Sequence, residues 1–205
     1  MSLLYLMQQY NNKTTDIILA SNSPRRKELL RQIGIIFKSY PAHIDESVLP
    51  GETPEVYAVR VASDKAIVAA REVKKGIVIA ADTIVVIDDT ILGKPADKKD
   101  AERMLNMLSG RMHRVITGIA VMDAANGKTL TRTAVSKVWF RVLSDNEIRS
   151  YVASGEPLDK AGAYGIQEKG ALLVEKIEGC FFNVVGLPIS LLGEMLRMFH
   201  VNLMA

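Results

Sequence analysis

The sequence predicts an α/β protein built on a mixed β-sheet with flanking helices. In the first half of the 205-residue chain, apolar runs of strand length alternate with segments of helical periodicity. In the second half, two long strand-like runs, 115–122 and 129–143, flank an Asn126-Gly127 turn, which is typical of an antiparallel hairpin. A hairpin that interrupts βα units favours a mixed sheet over a purely parallel one.

Clear boundary signals mark the first strand and the first helix. Residues 17–20 form an apolar run of strand length. Ser23 suits the N-cap and Pro24 the first helical position, while Gly34 is a suitable stop. A second strand-like run follows at residues 35–40.

A long helix and a long apolar strand come next. Thr53 opens the helix, which closes at Gly76. Residues 77–87 are apolar over most of their length, and the turn at 88–89 leads to a short return strand at 91–92.

The later helices also carry capping signals. Asp97 can cap a helix that stops at Gly110, and Ser144 with Glu147 forms a capping box for a helix that ends at Ala153. Three further features complete the chain: a glycine-rich segment at 155–170, a strand near 172–177 and a last helix from Pro188.

Composition narrows the class of protein. Hydrophobic residues make up 48% and charged residues 24%, which is ordinary for a globular protein with a real core. The formal net charge is only +3 and the sequence has no long basic run, so we expect no nucleic-acid partner. This charge is compatible with binding of a small anionic substrate. Cys180 is the only cysteine, which excludes an intrachain disulfide and a thiolate metal cluster.

No apolar stretch approaches the roughly 20 residues that cross a bilayer, and the N-terminus lacks the pattern of a signal peptide. We therefore expect no membrane association and predict a cytoplasmic location. Residues 1–15 are predicted to be a loosely ordered extension. Residues 16–205 are predicted to form a single compact domain with two lobes.

The junction between the first strand and the first helix is a candidate anion site. Arg25 and Arg26 lie in the first helical turn, where the helix dipole disfavours positive charge by about 0.3–1 kcal/mol per residue. An anion bound between the helix N–H groups and the guanidinium groups would reverse that penalty, and Ser21 could join it. The alternative is a pair of solvated surface arginines.

Asp82 is the second candidate, because it is an isolated carboxylate inside an apolar strand. Burial of such a group is unfavourable unless it is paired or bound to a metal ion. The alternative is a strand-end or bulge residue that caps backbone N–H groups. At a cleft, Asp82 could orient water or bind a divalent cation.

Weaker signals come from single cations and from the glycine-rich segment. Lys65 and Lys94 would each be ordinary surface lysines if taken alone, although Pro95 holds Lys94 extended. Gln167 ends the segment from Lys160, and its amide can both donate to and accept from a base edge. A structural turn explains that segment equally well. His113 and His200 are interpreted as structural.

Several of these stretches occur together and in order: 19–26, 45–46, 65–66, 81–83, 93–95, 108–110, 115–118, 151–167 and 183–188. In this combination the chain resembles the Maf family of nucleotide pyrophosphatases, also called septum-formation inhibitors. The resemblance covers nearly the whole chain from Ile17 onward.

The resemblance implies a fold like that of the inosine triphosphatases, with a twisted mixed sheet, two lobes around a deep cleft, and commonly a homodimer. It also implies cleavage between the α- and β-phosphates of a nucleoside triphosphate with a divalent cation, Mg²⁺, Mn²⁺ or Co²⁺. The residues that it implicates in triphosphate binding are Ser21, Arg25, Arg26, Lys65 and Lys94. Asp82 would be the general base or a metal ligand, and Glu46 could assist the metal.

Within this family the chain resembles the dTTP/UTP pyrophosphatases, which carry arginine, threonine and glutamine where this chain has Arg25, Thr83 and Gln167. The expected role is the removal of unwanted nucleotides. One alternative is the same chemistry on 7-methyl-GTP or another modified nucleotide. Another is a regulator of cell division that acts by binding a protein partner.

Overall fold

A computed structural model describes residues 16–204, and the predicted N-terminal extension at residues 1–15 lies outside them. The strands in this range are β1 (Ile17–Leu19), β2 (Lys38–Ser39), β3 (Ile77–Ile87), β4 (Thr90–Leu92), β5 (Met112–Asp123), β6 (Thr129–Phe140) and β7 (Val174–Glu178). The α-helices are α1 (Pro24–Gln32), α2 (Pro54–Val73), α3 (Lys98–Leu108), α4 (Asp145–Ala153), α5 (Phe181–Val185) and α6 (Ile189–Arg197). Short 3₁₀ helices occupy Glu156–Asp159, Ala161–Ala163 and Glu168–Leu173.

The strands within residues 16–204 form one seven-stranded mixed sheet in the order β2-β1-β3-β5-β6-β7, with β4 paired to the end of β3. β1 is parallel to both β2 and β3, whereas all pairings from β3 to β7 are antiparallel. The sheet and its flanking helices confirm the predicted fold class. The extent of the predicted domain stays a prediction.

The predicted capping residues begin the helices as expected. The Ser23 Oγ accepts a hydrogen bond from the Arg26 N–H at 3.4 Å, and Thr53 caps α2 through the N–H of Val56. The side chain of Asp97 caps α3. The reciprocal capping box of Ser144 and Glu147 is present at α4. The positions of these helices in the chain therefore follow from local hydrogen bonding.

The strand predicted at 129–143 ends at Phe140, and the strand predicted near 172–177 begins at Val174. Two other segments differ more from the prediction. The strand expected at residues 35–40 is reduced to Lys38–Ser39, because it pairs only with the three-residue β1 at the sheet edge. The short helix α5 was not predicted. Its five residues follow Cys180, whose side chain makes no cap hydrogen bond, so the sequence carries no start signal there.

The core is divided at the middle of β3. Even-numbered residues of β3 face α2, and odd-numbered residues face the opposite side of the sheet, as the period of two requires. On the α2 side, one apolar cluster includes Val78 and another includes Ile84. The other face shows the same division, with Ile79 in one cluster and Val85 in the other. The polar pair Asp82-Thr83 lies between these clusters.

Gly118 allows α2 to approach the sheet closely at this level. It pairs with Asp82 across the β3–β5 ladder. A Cβ atom at Gly118 would lie 2.2 Å from the carbonyl oxygen of Ala58 in α2. Glycine at this position therefore brings the helix that carries Lys65 down onto the strand that carries Asp82. Among residues 16–204, no helix combines the length and the apolarity needed to span a membrane.

Candidate active site

A cleft of about 680 Å³ opens beside the middle of β3. Its walls come from the β1–α1 junction, the loop before α2, the loop after β4, the first two 3₁₀ helices and the end of α5. The cleft brings together eight of the residues that the sequence singled out: Ser21, Arg25, Arg26, Glu46, Lys65, Asp82, Thr83 and Lys94. Gln167 does not line it.

Asp82 and Lys65 form a buried ion pair at the floor of the cleft. The Lys65 Nζ lies 2.8 Å from Asp82 Oδ1, and both residues are less than a tenth exposed. The same ammonium group also lies 2.8 Å from Glu46 Oε1, whose side chain is half-exposed. Lys65 is therefore no ordinary surface lysine, and the carboxylate of Asp82 is paired with a cation in the middle of its strand. One ammonium group between two carboxylates keeps these three side chains together at the cleft.

Arg26 is held by three acceptors of the protein itself. Its Nε donates to the carbonyl oxygen of Gly186 at 2.8 Å, Nη1 to Ser21 Oγ at 3.2 Å and Nη2 to Thr83 Oγ1 at 3.0 Å. Burial lowers the pKa of Arg26, and the nearby charge of Asp82 opposes that shift. The expectation that Arg26 is an uncompensated helix-terminal charge without a bound anion is wrong, because side chains and a carbonyl from distant elements supply its partners.

Arg25, by contrast, reaches across the opening of the cleft. Its Nη1 lies 3.2 Å from Asp159 Oδ2, and its side chain is 27% exposed. The Asp159 carboxylate also accepts from Lys160 Nζ at 2.8 Å. Lys94 is exposed at the rim of the same opening. The cleft thus has cationic groups on its floor and around its rim.

Thr83 belongs to a chain of buried polar groups below the cleft. Its Oγ1 lies 2.9 Å from Thr117 Oγ1, a contact in which either hydroxyl can donate, and 3.3 Å from the Gly186 carbonyl oxygen. Thr117 Oγ1 also lies 3.3 Å from the backbone oxygen of Asn183, to which its hydroxyl can donate. The amide of Asn183 donates to Ser136 Oγ at 2.9 Å. These bonds tie the turn after α5 to the sheet.

Gln167 is exposed at the start of the third 3₁₀ helix, outside the residues that line the cleft. Its role in base recognition stays a prediction. Three lining residues that the sequence analysis did not single out also make contacts at the site: Tyr57, Asp159 and Gly186. Asp159 and Gly186 lie in stretches that carry the resemblance, but none of the three has a local sequence signal of its partner.

A divalent cation fits the donor chemistry of the cleft. Within residues 16–204, no group of three or more His, Cys, Asp or Glu side chains is placed to bind a metal ion. However, the carboxylates of Asp82 and Glu46 converge on Lys65. Mg²⁺ is commonly bound by one or two carboxylates together with substrate phosphates, and these two oxygen donors match that pattern.

These features define an α/β protein whose cleft is lined by cationic side chains and contains a carboxylate pair. The family model described as "Maf-like protein" matches residues 16–199. The chain belongs to the Maf family.

Its relatives match over almost their full length. A dTTP/UTP pyrophosphatase of Syntrophomonas wolfei is 50% identical over 186 residues, which are 91% of this chain and 98% of the relative. A dTTP/UTP pyrophosphatase of Clostridioides difficile is 49% identical over 189 residues, covering 92% of this chain and 97% of the relative. Among solved structures, a HAM1 protein from Coxiella burnetii matches with a TM-score of 0.47 and 21% identity over 62% of this chain and 73% of that one.

Proposed function

We propose that this protein hydrolyses dTTP and UTP to the nucleoside monophosphate and pyrophosphate. Relatives near 50% identity that carry the name dTTP/UTP pyrophosphatase support this substrate class. The observation that carries the proposal is the buried Lys65–Asp82 pair, which lies in one cleft with Arg26. Cations there suit a triphosphate, and a carboxylate there suits the activation of water.

Substrate binding is assigned to the cationic groups. Arg25 and Lys94 at the rim would bind phosphate oxygens that approach from solvent. Three nitrogen atoms of Arg26 already donate to protein acceptors. Arg26 would therefore contribute to phosphate binding through its charge and its remaining N–H groups. Ser21 would hold Arg26 in place and donate its hydroxyl proton to a phosphate oxygen. Positioning and charge neutralisation of this kind dominate phosphate-ester cleavage.

The chemical step needs a water molecule in line with the α-phosphorus. Asp82 would accept a proton from this water as its oxygen bonds to the α-phosphorus and the bond to the α–β bridging oxygen breaks. The electron pair of that bond leaves with pyrophosphate. Lys65 donates a hydrogen bond to Asp82 and holds the carboxylate in its orientation.

Asp82 and Glu46 would also hold a divalent cation, Mg²⁺, Mn²⁺ or Co²⁺. When bound, such a cation supplies charge neutralisation at the phosphate oxygens. Lys65 would then exchange one of its carboxylate contacts for a phosphate oxygen.

Base selectivity is assigned to Arg25, Thr83 and Gln167, as the resemblance implies. A homodimer and a cytoplasmic location also remain predictions, which sedimentation and cell fractionation would check.

The direct test is pyrophosphate release from dTTP, UTP, CTP, GTP, 7-methyl-GTP and modified pyrimidine triphosphates, each with Mg²⁺, Mn²⁺ or Co²⁺. We expect dTTP and UTP to have the highest kcat/KM and metal removal to abolish turnover. A preference for 7-methyl-GTP would support the alternative substrate. Absence of pyrophosphate release from every triphosphate would contradict the proposed function.

A further inference from the structure

The loop that carries Glu46 has no helix or strand of its own. Residues 40–53 contain only a turn, yet they place the Glu46 carboxylate 2.8 Å from Lys65 Nζ. The Glu46 side chain is 53% exposed. An ion pair with one partner exposed to this extent contributes little to stability, less than the entropy that is lost when several backbone residues are ordered. Other contacts must therefore hold the loop.

We propose that Tyr57 and Arg60 of α2 are positioning residues that hold the Glu46 backbone and keep its carboxylate beside Lys65 and Asp82. This inference rests on the proposed function, in which Glu46 takes part in the site. It assigns to two further residues the task of building that site.

The contacts are to two consecutive carbonyl groups. Tyr57 Oη donates to the Glu46 carbonyl oxygen at 2.8 Å, and Arg60 Nη2 donates to the Ser47 carbonyl oxygen, also at 2.8 Å. Both donors therefore fix the backbone at Glu46, from which the carboxylate side chain extends. Neither contacts the Glu46 carboxylate, which stays available to the cleft.

Arg60 also anchors the far end of the loop. Its guanidinium group binds the carboxylate of Glu52, with Nη2 2.9 Å from Oε2, and the same oxygen accepts from the Leu49 N–H at 2.9 Å. The Glu52 side chain is 8% exposed, and the hydrogen bond from Arg60 lowers its pKa. Arg60 Nη1 lies 3.4 Å from Asp64, one residue before Lys65. The arginine therefore joins both ends of residues 46–52 to one helix.

Tyr57 and Arg60 support each other. The guanidinium carbon of Arg60 lies 5.5 Å from the centre of the Tyr57 ring, in the range of a cation–π contact. Burial raises the pKa of Tyr57 to about 12, so its hydroxyl remains a donor at neutral pH. Tyr57 and Lys65 lie two helical turns apart on one side of α2, a rise of about 12 Å. A single rigid helix thus sets the distance between the loop anchor and the ammonium group.

The test is a double-mutant cycle between Tyr57→Phe and Glu46→Gln. Tyr57→Phe removes only the hydroxyl, and we expect kcat for UTP to fall about 10-fold, since small misplacements of catalytic groups reach about 10²-fold. The KM for UTP should change less than about twofold, because the phosphate-binding cations do not move. In the Glu46→Gln background, Tyr57→Phe should have almost no further effect.

Hydrogen exchange provides a readout that does not depend on turnover. Tyr57→Phe and Arg60→Lys should each accelerate amide exchange in residues 41–52 and leave exchange in β3 unchanged. Arg60→Lys retains the charge but loses the planar fork, so its effect should be smaller than that of Arg60→Ala. The matched control is Tyr40→Phe at an exposed tyrosine, for which neither readout should change.

Equal losses of kcat on Tyr57→Phe in the wild-type and Glu46→Gln backgrounds would overturn the proposal. So would unchanged exchange in residues 41–52 in both variants. If wild type releases no pyrophosphate, the proposed function fails, and the exchange experiment alone decides whether Tyr57 and Arg60 hold the loop.

Discussion

Asp82 shows at the scale of one residue how a charge is accommodated inside a sheet. Apart from Thr83, its neighbours along β3 are buried aliphatic side chains, and an unpaired carboxylate there would be strongly unfavourable. The ammonium group of Lys65 at 2.8 Å offsets the cost of burying the Asp82 carboxylate, which lies beside the opening of the cleft. Removal of one partner from a buried pair typically costs about 3–5 kcal/mol, so the two residues depend on each other.

We expect Asp82→Asn to abolish most turnover and leave the fold intact. The amide oxygen can still accept from Lys65, and Glu46 still balances its charge, but the amide cannot take a proton and binds metal poorly. The value of kcat should fall about 10²–10⁴-fold. Steady-state kinetics and circular dichroism would check this. Asp88→Asn, at the exposed turn after β3, is the matched control and should retain full activity.

Gln167→Glu tests base recognition. A carboxylate loses the donor of the amide and repels the carbonyl oxygens of thymine and uracil, so kcat/KM should fall for dTTP and UTP more than for CTP, GTP and 7-methyl-GTP. Because Gln167 is exposed in this structure, a selective effect requires its segment to meet the base on binding. A common loss for all five nucleotides would mean that Gln167 does not read the base.

At the scale of an element, α1 presents two arginines with opposite roles. Arg26 points inward and joins the β1–α1 junction to β3 and to the turn after α5 through Thr83 and Gly186. Arg25, the preceding residue, points about 100° away and meets Asp159 at the cleft opening. Of these adjacent positions on one helical turn, Arg26 joins elements of the fold at the floor of the cleft, whereas Arg25 lies at its rim.

The two arginines should differ in their effect on stability. Hydrogen bonds to charged groups contribute about 1.5–3 kcal/mol each, so Arg26→Ala should lower the free energy of unfolding by at least about 2 kcal/mol. Arg25→Ala should change it by less than about 1 kcal/mol, because its ion pair is partly exposed. Urea unfolding would measure both.

Added pyrophosphate should raise the Tm of either variant less than that of wild type. Equal shifts in all three proteins would show that neither arginine binds the anion.

At the scale of the whole molecule, apolar clusters are joined by a few buried polar groups. His113 is 1% exposed in the cluster that contains Phe140 and Tyr164, with its Nε2 2.7 Å from the Tyr164 hydroxyl oxygen. Burial lowers the pKa of His113 to about 3. The imidazole is therefore neutral in the folded protein at neutral pH, and the prediction of a structural role agrees with its position away from the cleft lining.

His113 should make global stability depend on pH. Below its ordinary pKa of about 6.5 the unfolded chain binds a proton that the folded protein excludes until about pH 3. Stability should therefore be unaffected above pH 6.5 and fall by about 1.4 kcal/mol per pH unit below it. Urea unfolding at pH 7, 6 and 5 would measure the free energy of unfolding at each pH. For His113→Gln this free energy should fall less steeply with decreasing pH than for wild type. His200→Asn, at an exposed histidine, should keep the wild-type slope.

The sequence by itself determined where most elements begin and end, and which family the chain resembles. The helix starts are marked by side chains that accept a hydrogen bond from the backbone three residues later, as at Ser23, Thr53 and Asp97. Because these bonds join residues that are close in the sequence, the sequence alone is enough to predict them. Asp82 was also conspicuous, because a lone carboxylate interrupts an apolar strand.

Only the tertiary structure decided which groups meet. The partners of Arg26 at Thr83 and Gly186 lie 57 and 160 residues away, and Lys65 reaches Asp82 because Gly118 lets α2 lie close to the sheet. Such contacts depend on strand register and on how closely a helix packs against the sheet, and no local sequence pattern specifies either. Pairing energies of buried charges are set by that three-dimensional arrangement, since distance and exposure govern their strength.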